Sequence, residues 1–180
     1  MIGLDRRRGC IAALLAAGMG AAEAGAQAVS LHGGARMYDA GSAVMVALRT
    51  ELPLPGPLLL ELAGSVADPL DDAPRSAASL LEAQLQVEVP LGAAITPYVG
   101  GGIGAAKTYT LGEEDDGGAT LWSLGVGARV ALSDQLGLVV DARMRDLGTA
   151  DGDGHTDVSV GLRYQLTRPD RPRFRGAPRR

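Results

Sequence analysis

The sequence predicts an all-β fold, an eight-stranded antiparallel up-and-down transmembrane β-barrel. Three observations lead there. Apolar residues recur at every second position in a series of segments. The connections between those segments alternate between short and long. A leader of export type precedes them. An even number of strands, with tight turns at one end and longer loops at the other, is the plan of an outer-membrane barrel.

The leader comes first along the 180 residues. Arg6, Arg7 and Arg8 give a basic start, and "IAALLAAGMGAA" (11–22) is too short to cross a bilayer as a helix. "AGA" (24–26) and "AQA" (26–28) are small-x-small cleavage patterns, so residues 1–28 read as a signal peptide cut after Ala26 or Ala28. An uncleaved anchor is the alternative, and the shortness of the apolar segment argues against it. Cys10 precedes that segment, whereas a lipoprotein cysteine would follow it. The mature chain then holds no cysteine and no disulfide.

Two strands with weaker alternation cover 30–38 and 94–109. The others are clear. Val44, Val46, Leu48, Thr50 and Leu52 alternate through 44–52, and Leu58, Leu60, Leu62, Gly64 and Val66 through 58–66. Leu81, Ala83, Leu85, Val87, Val89 and Leu91 mark 81–91. Trp122, Leu124, Val126, Ala128, Val130 and Leu132 mark 121–132. Leu136 to Met144 and Val158 to Leu166 complete the eight. "LPLPGP" (52–57), "PLGAA" (90–94) and "LSDQ" (132–135) read as tight turns. "DPLDDAPRS" (68–76), "TLGEEDDGGA" (110–119) and "LGTADGDGHT" (147–156) read as longer acidic loops, and "DAGS" (39–42) is the one short connection at that end. Strands of about 9 to 11 residues span a membrane when tilted.

The second face of each strand collects Arg36, Arg49, Glu51, Glu61, Glu82, Gln84, Gln86, Glu88, Arg129, Asp141, Arg143, Arg145, Arg163 and Gln165. In a soluble sandwich this face would meet water. In a membrane barrel it points into the lumen, and the apolar face meets lipid. The export leader favours the barrel. So does the near balance of six arginines and five acids, because a buried charge needs a partner. Closure also removes the free backbone groups that a bilayer cannot satisfy. Eight strands leave an interior that side chains fill. The expected lumen charge network is Arg49, Glu51, Glu82, Glu88, Arg129, Asp141, Arg143, Arg145 and Arg163, with the pairing left open. Aromatic residues are only 3% of the chain. By parity Tyr109 and Trp122 face outward near one rim, Tyr164 faces outward near the other, and Tyr98 points inward.

"TPYVGGGIGAA" (96–106), "LWSLGVGARVALSDQLGLVVDARMR" (121–145) and "VSVGLRYQL" (158–166) resemble the second half of small eight-stranded outer-membrane barrels of the OmpA/OmpX-like type. The resemblance extends over about 29–166 and is looser in the first half. It implies that the last strand carries the signal read by the barrel-assembly machinery, through Ser159, Gly161, Tyr164 and Leu166. Most such barrels end on an aromatic residue. This one ends on Leu166 and adds a 14-residue tail.

Charge is split along the chain. Residues 29–166 hold 8 Lys and Arg against 18 Asp and Glu, a net of −10, whereas the tail 167–180 holds six arginines and one aspartate, a net of +5. The tail, with three prolines and no apolar period, reads as a disordered basic extension.

Catalytic patterns do not match. Gly100, Gly102 and Gly104 share a parity and read as room in the lumen, because the dinucleotide pattern would need glycine where Ala105 stands. Outer-membrane lipid A deacylases pair a histidine with a serine two residues on, and here Gly34 and Asp157 follow His32 and His155. No G-x-S-x-G elbow occurs. The acidic groups Glu113, Glu114, Asp115, Asp116 and Asp151, Asp153, Asp157 read as solvated loops rather than a metal site. No cofactor, metal or nucleic acid is expected. The expectation is a monomeric, non-enzymatic barrel with a structural or surface-interaction role in the cell envelope. Its partners would be outer-membrane lipid, lipopolysaccharide and, during biogenesis, the assembly machinery. A narrow channel and a soluble exported ligand-binding barrel are the alternatives.

Overall fold

The computed structural model describes residues 27–39, 41–69, 75–89, 91, 94–110, 118–148 and 154–166. Eight strands run in chain order: β1 (Ala28–Tyr38), β2 (Gly41–Pro53), β3 (Leu58–Pro69), β4 (Arg75–Glu88), β5 (Ile95–Thr110), β6 (Gly118–Ala131), β7 (Leu136–Leu147) and β8 (Gly154–Gln165). Each pairs antiparallel with its sequence neighbours, and β8 pairs with β1 to close the barrel. The segments with period-2 alternation are thus the strands, and the architecture is the one they predict.

The turns follow their local chemistry. Between β2 and β3, Pro55-Gly56 is a type II turn sequence. Gly56 takes φ 76°, a conformation only glycine adopts cheaply, and Leu54 N donates to Leu58 O at 3.0 Å. Between β6 and β7, Ser133 Oγ accepts from Leu136 N at 3.0 Å, so a side chain replaces a backbone acceptor.

The strands outrun the alternation. They are 11 to 16 residues long, and all but β1 exceed the span expected for the membrane alone. The extra length lies at the loop end, where β4 starts at Arg75 and β7 ends at Leu147. Backbone pairing continues there while the outward residues turn polar: Ser79, Lys107, Thr120, Asp146 and Thr156. A strand in water needs no apolar face, so periodicity loses its signal before the ladder ends.

The outward face is apolar below that ring. Leu124 is 59% exposed, Trp122 60% and Met144 66%. Along β6 the apolar run from Trp122 to Leu132 is ten residue steps. At about 3.3 Å per step and a tilt of about 40°, it rises about 25 Å, the height of an outer-membrane apolar band.

Candidate functional site

Strand parity sends alternate side chains into a closed cylinder, so the interior is the one place where the polar residues meet. Glycines on its wall make room for them. A Cβ on Gly127 would sit 2.4 Å from Tyr98 Oη, and one on Gly102 would sit 2.9 Å from Glu82 Oε1.

At the turn end, Glu51 joins two arginines: Arg129 Nε donates to Oε1 at 3.0 Å and Arg163 Nε to Oε2 at 2.7 Å. Arg129 Nη1 also donates to Glu88 Oε1 at 2.9 Å, and its guanidinium lies 4.1 Å from the centre of the Tyr98 ring. Glu88 and Arg163 keep some contact with solvent.

The middle layer is fully buried. Asp141 Oδ1 accepts from Arg49 Nη2 at 2.9 Å and from Arg143 Nε at 2.8 Å, and Asp141 Oδ2 accepts from Tyr98 Oη at 2.6 Å. Arg143 Nη2 donates to Glu61 Oε1 at 2.6 Å. Gln86 links this layer to the one below: Arg129 donates to its oxygen, and its Nε2 donates to Glu61 Oε2 at 3.1 Å.

Toward the loops, Arg145 Nη2 donates to Glu82 Oε2 at 2.7 Å, and Ser123 donates to the same carboxylate. Arg145 also bonds Asp157, which accepts from Arg36 Nε at 2.8 Å and Arg36 Nη2 at 3.0 Å. Above this layer, on the β4–β7 side, Leu80, Ala106, Leu121 and Leu147 form a buried apolar cluster, with Ala119 against it.

Among the described residues the interior charges are Arg36, Arg49, Arg129, Arg143, Arg145 and Arg163 against Glu51, Glu61, Glu82, Glu88, Asp141 and Asp157. Six cations face six anions. In a low-dielectric interior an unpaired charge costs several kcal/mol, so neutrality is a physical requirement of a filled lumen.

All nine residues expected in the network line the lumen and bear an ion pair. The structure adds Arg36, Glu61 and Asp157, with Gln84, Gln86 and Tyr98 as neutral links. Asp157 corrects the sequence reading. It is not a solvated loop acid but a buried β8 residue, and it supplies the sixth anion. A run of Gly and Asp before it resembles a loop, while its parity with Ser159 and Gly161 points inward.

Of the rim aromatics, Trp122 and Tyr164 point outward at opposite ends of the barrel. Tyr109 lies in β5, and its side chain is outside the described residues. Of the terminal-strand residues, Ser159 and Gly161 face inward, whereas Tyr164 and Leu166 face outward. Residues 1–26, the acids Glu113, Glu114, Asp115, Asp116, Asp151 and Asp153, and the tail 167–180 lie outside the described residues.

Sequence reasoning missed a Ser–His contact. His32 Nε2 lies 2.9 Å from Ser30 Oγ, and Nδ1 lies 3.3 Å from Ser159 Oγ. The serine stands two residues before the histidine, not after it, so the deacylase spacing could not find the pair. Both residues are buried against the lumen wall. His155 is also buried, its ring 5.6 Å from that of Tyr38.

Known proteins share this architecture. Neisserial surface protein A (NspA) is 11% identical over 77% of this chain and 95% of its own, with a TM-score of 0.65. The N-terminal β-barrel domain of Pseudomonas aeruginosa OprF is 14% identical over 78% and 99%, with a TM-score of 0.56. The outer membrane enzyme PagL is 16% identical over 77% and 99%, with a TM-score of 0.52. At these identities the likeness is one of fold. No curated protein matches the chain. The family model of the outer membrane protein beta-barrel domain matches residues 61–165, more than half of the sequence. The alternation, the closed eight-stranded barrel and this match agree, and the chain belongs to the outer-membrane β-barrel domain family.

Proposed function

We propose that this barrel is a non-conducting, non-enzymatic element of the outer membrane, acting in envelope integrity or surface interaction. The observation that carries the reading is the lumen. Among the described residues it holds a neutral network of six arginines and six acids, with a buried apolar cluster on the loop side of it. An ion would have to break buried pairs to pass. The cost of stranding even one charge, about 3–5 kcal/mol, opposes that.

Absence of catalysis is part of the same reading. Ser30 and His32 touch, but both are buried at the lumen wall, where an acyl substrate would have to displace the network to reach them. The soluble ligand-binding alternative is opposed by the exposed leucines and valines around the wall. Export would follow from the leader at 1–28. Insertion would follow from recognition of Ser159, Gly161, Tyr164 and Leu166 by the assembly machinery. Lipid and lipopolysaccharide would surround a monomer.

Single-channel recording in planar bilayers tests the reading. A packed lumen gives no steady conductance. Steady unitary currents from purified, folded protein would replace it with the channel reading.

A further inference from the structure

We propose that the seam between β1 and β8 is keyed from inside the barrel, by His32 seated on Gly161 and Arg36 paired with Asp157, and that this key sets the register in which the cylinder closes.

Seven of the eight strand pairings are hairpins, and a hairpin's register is fixed by its connection. The eighth joins the two ends of the barrel and has no connection. Arg36 and Asp157 are 121 residues apart in sequence, and His32 and Ser159 are 127 apart. Something other than a turn must choose the register.

The outer face of the seam cannot. Its pairs are Val29 with Tyr164, Leu31 with Leu162, Gly33 with Val160 and Ala35 with Val158. A slip of two residues only exchanges one set of apolar pairs for another. Hydrocarbon is as apolar as leucine and does not discriminate between them.

The inner face can. His32 stands opposite Gly161, Gly34 opposite Ser159, and Arg36 opposite Asp157. The His32 ring fills the place of the missing Gly161 side chain. A Cβ there would lie 2.6 Å from His32 Cγ and 2.7 Å from Cδ2. The ring is held by Ser30 and by Ser159, and Ser159 Oγ also accepts from Arg49 Nη2 at 3.1 Å. Gly34 lets the strands approach, since a Cβ there would lie 2.1 Å from Val158 O. A two-residue slip in one direction sets His32 against Arg163 and Arg36 against Ser159. In the other it sets His32 against Ser159 and Arg36 against His155. Each slip places the ring over a side chain and takes Asp157 away from its position opposite Arg36. A one-residue slip turns the charged face toward lipid.

The test reads the seam by disulfide formation in outer membranes of cells expressing the full chain, in a Cys10→Ser background. Leu31→Cys with Leu162→Cys reports the native register, because paired strands bring Cα atoms within disulfide range and a slipped pair leaves it. We expect Gly161→Ala to cause loss of this disulfide and of heat-modifiable gel mobility. His32→Ala in the same chain removes that clash and leaves the other half of the key, Arg36 paired with Asp157, in place, so it should restore both. That rescue also separates the key from the terminal-strand signal, because a change in β1 cannot mend a defect in how β8 is recognised. Gly33→Ala, whose added Cβ meets nothing within 4 Å, should leave both readouts unchanged. Wild-type disulfide yield in Gly161→Ala, or a loss that His32→Ala does not restore, would overturn the proposal.

Discussion

Substituting Val126 by arginine places a charge on the outward face of β6 near the centre of the apolar band. Each residue climbs about 2.5 Å along the membrane normal, from about 3.3 Å of rise and a tilt of about 40°. Val126 therefore lies about 10 Å from the level of Trp122 and about 15 Å from that of Leu132. It is 54% exposed, so nothing in the protein shields the new charge from lipid. An arginine at the midplane of a barrel costs about 2–4 kcal/mol, falling to about 0–1 kcal/mol at the interface. Leu124, about 5 Å below Trp122, should give an intermediate loss, and Thr120, in the polar outward ring, almost none. Reversible denaturant unfolding in lipid vesicles, followed by gel mobility, measures the series. The order Val126→Arg, Leu124→Arg, Thr120→Arg in decreasing cost is the expected result. Equal cost at all three positions would refute the argument from depth.

Further predictions concern the lumen and the chain start. Asp141→Ala leaves Arg49 and Arg143 short of a buried acceptor and should cost about 3–5 kcal/mol in the same unfolding assay, well above Ser133→Ala in an exposed turn. Ser123→Arg adds a cation beside Arg143 and Arg145, where every interior acid among the described residues is already paired, so the folded fraction should fall on gels, and a wild-type fraction would contradict a filled lumen. Processing should leave Gln27 as the first residue. Its N donates to Glu51 O at 2.9 Å and its O accepts from Leu166 N at 2.7 Å, and both bonds are lost if cleavage follows Ala28. Intact-mass measurement of protein from outer membranes distinguishes the two starts.

The fold was legible because lipid imposes one simple rule on every strand: alternate residues must be apolar. Where lipid ends, so does the rule, and the ends of β4 and β7 were hidden behind polar residues such as Ser79 and Asp146. The members of the lumen could likewise be read by parity. Their partners could not, because Arg49 reaches Asp141 across 92 residues of sequence, and which side chains meet depends on how far each extends into the cylinder. Asp157 was hidden by neighbouring glycines and aspartates that resemble a loop. Histidine in a sequence signals catalysis or metal first, whereas the place of His32 on the seam needs no chemistry beyond shape and two hydroxyls.

Trp122 is the single tryptophan of the chain and points outward near the loop-side rim, so its fluorescence reports directly on what surrounds the wall. In vesicles of brominated lipids its emission should be quenched, more strongly by bromines near the headgroup than by bromines near the chain ends. Emission indifferent to brominated lipid, from protein folded in those vesicles, would mean that the apolar face does not look at hydrocarbon.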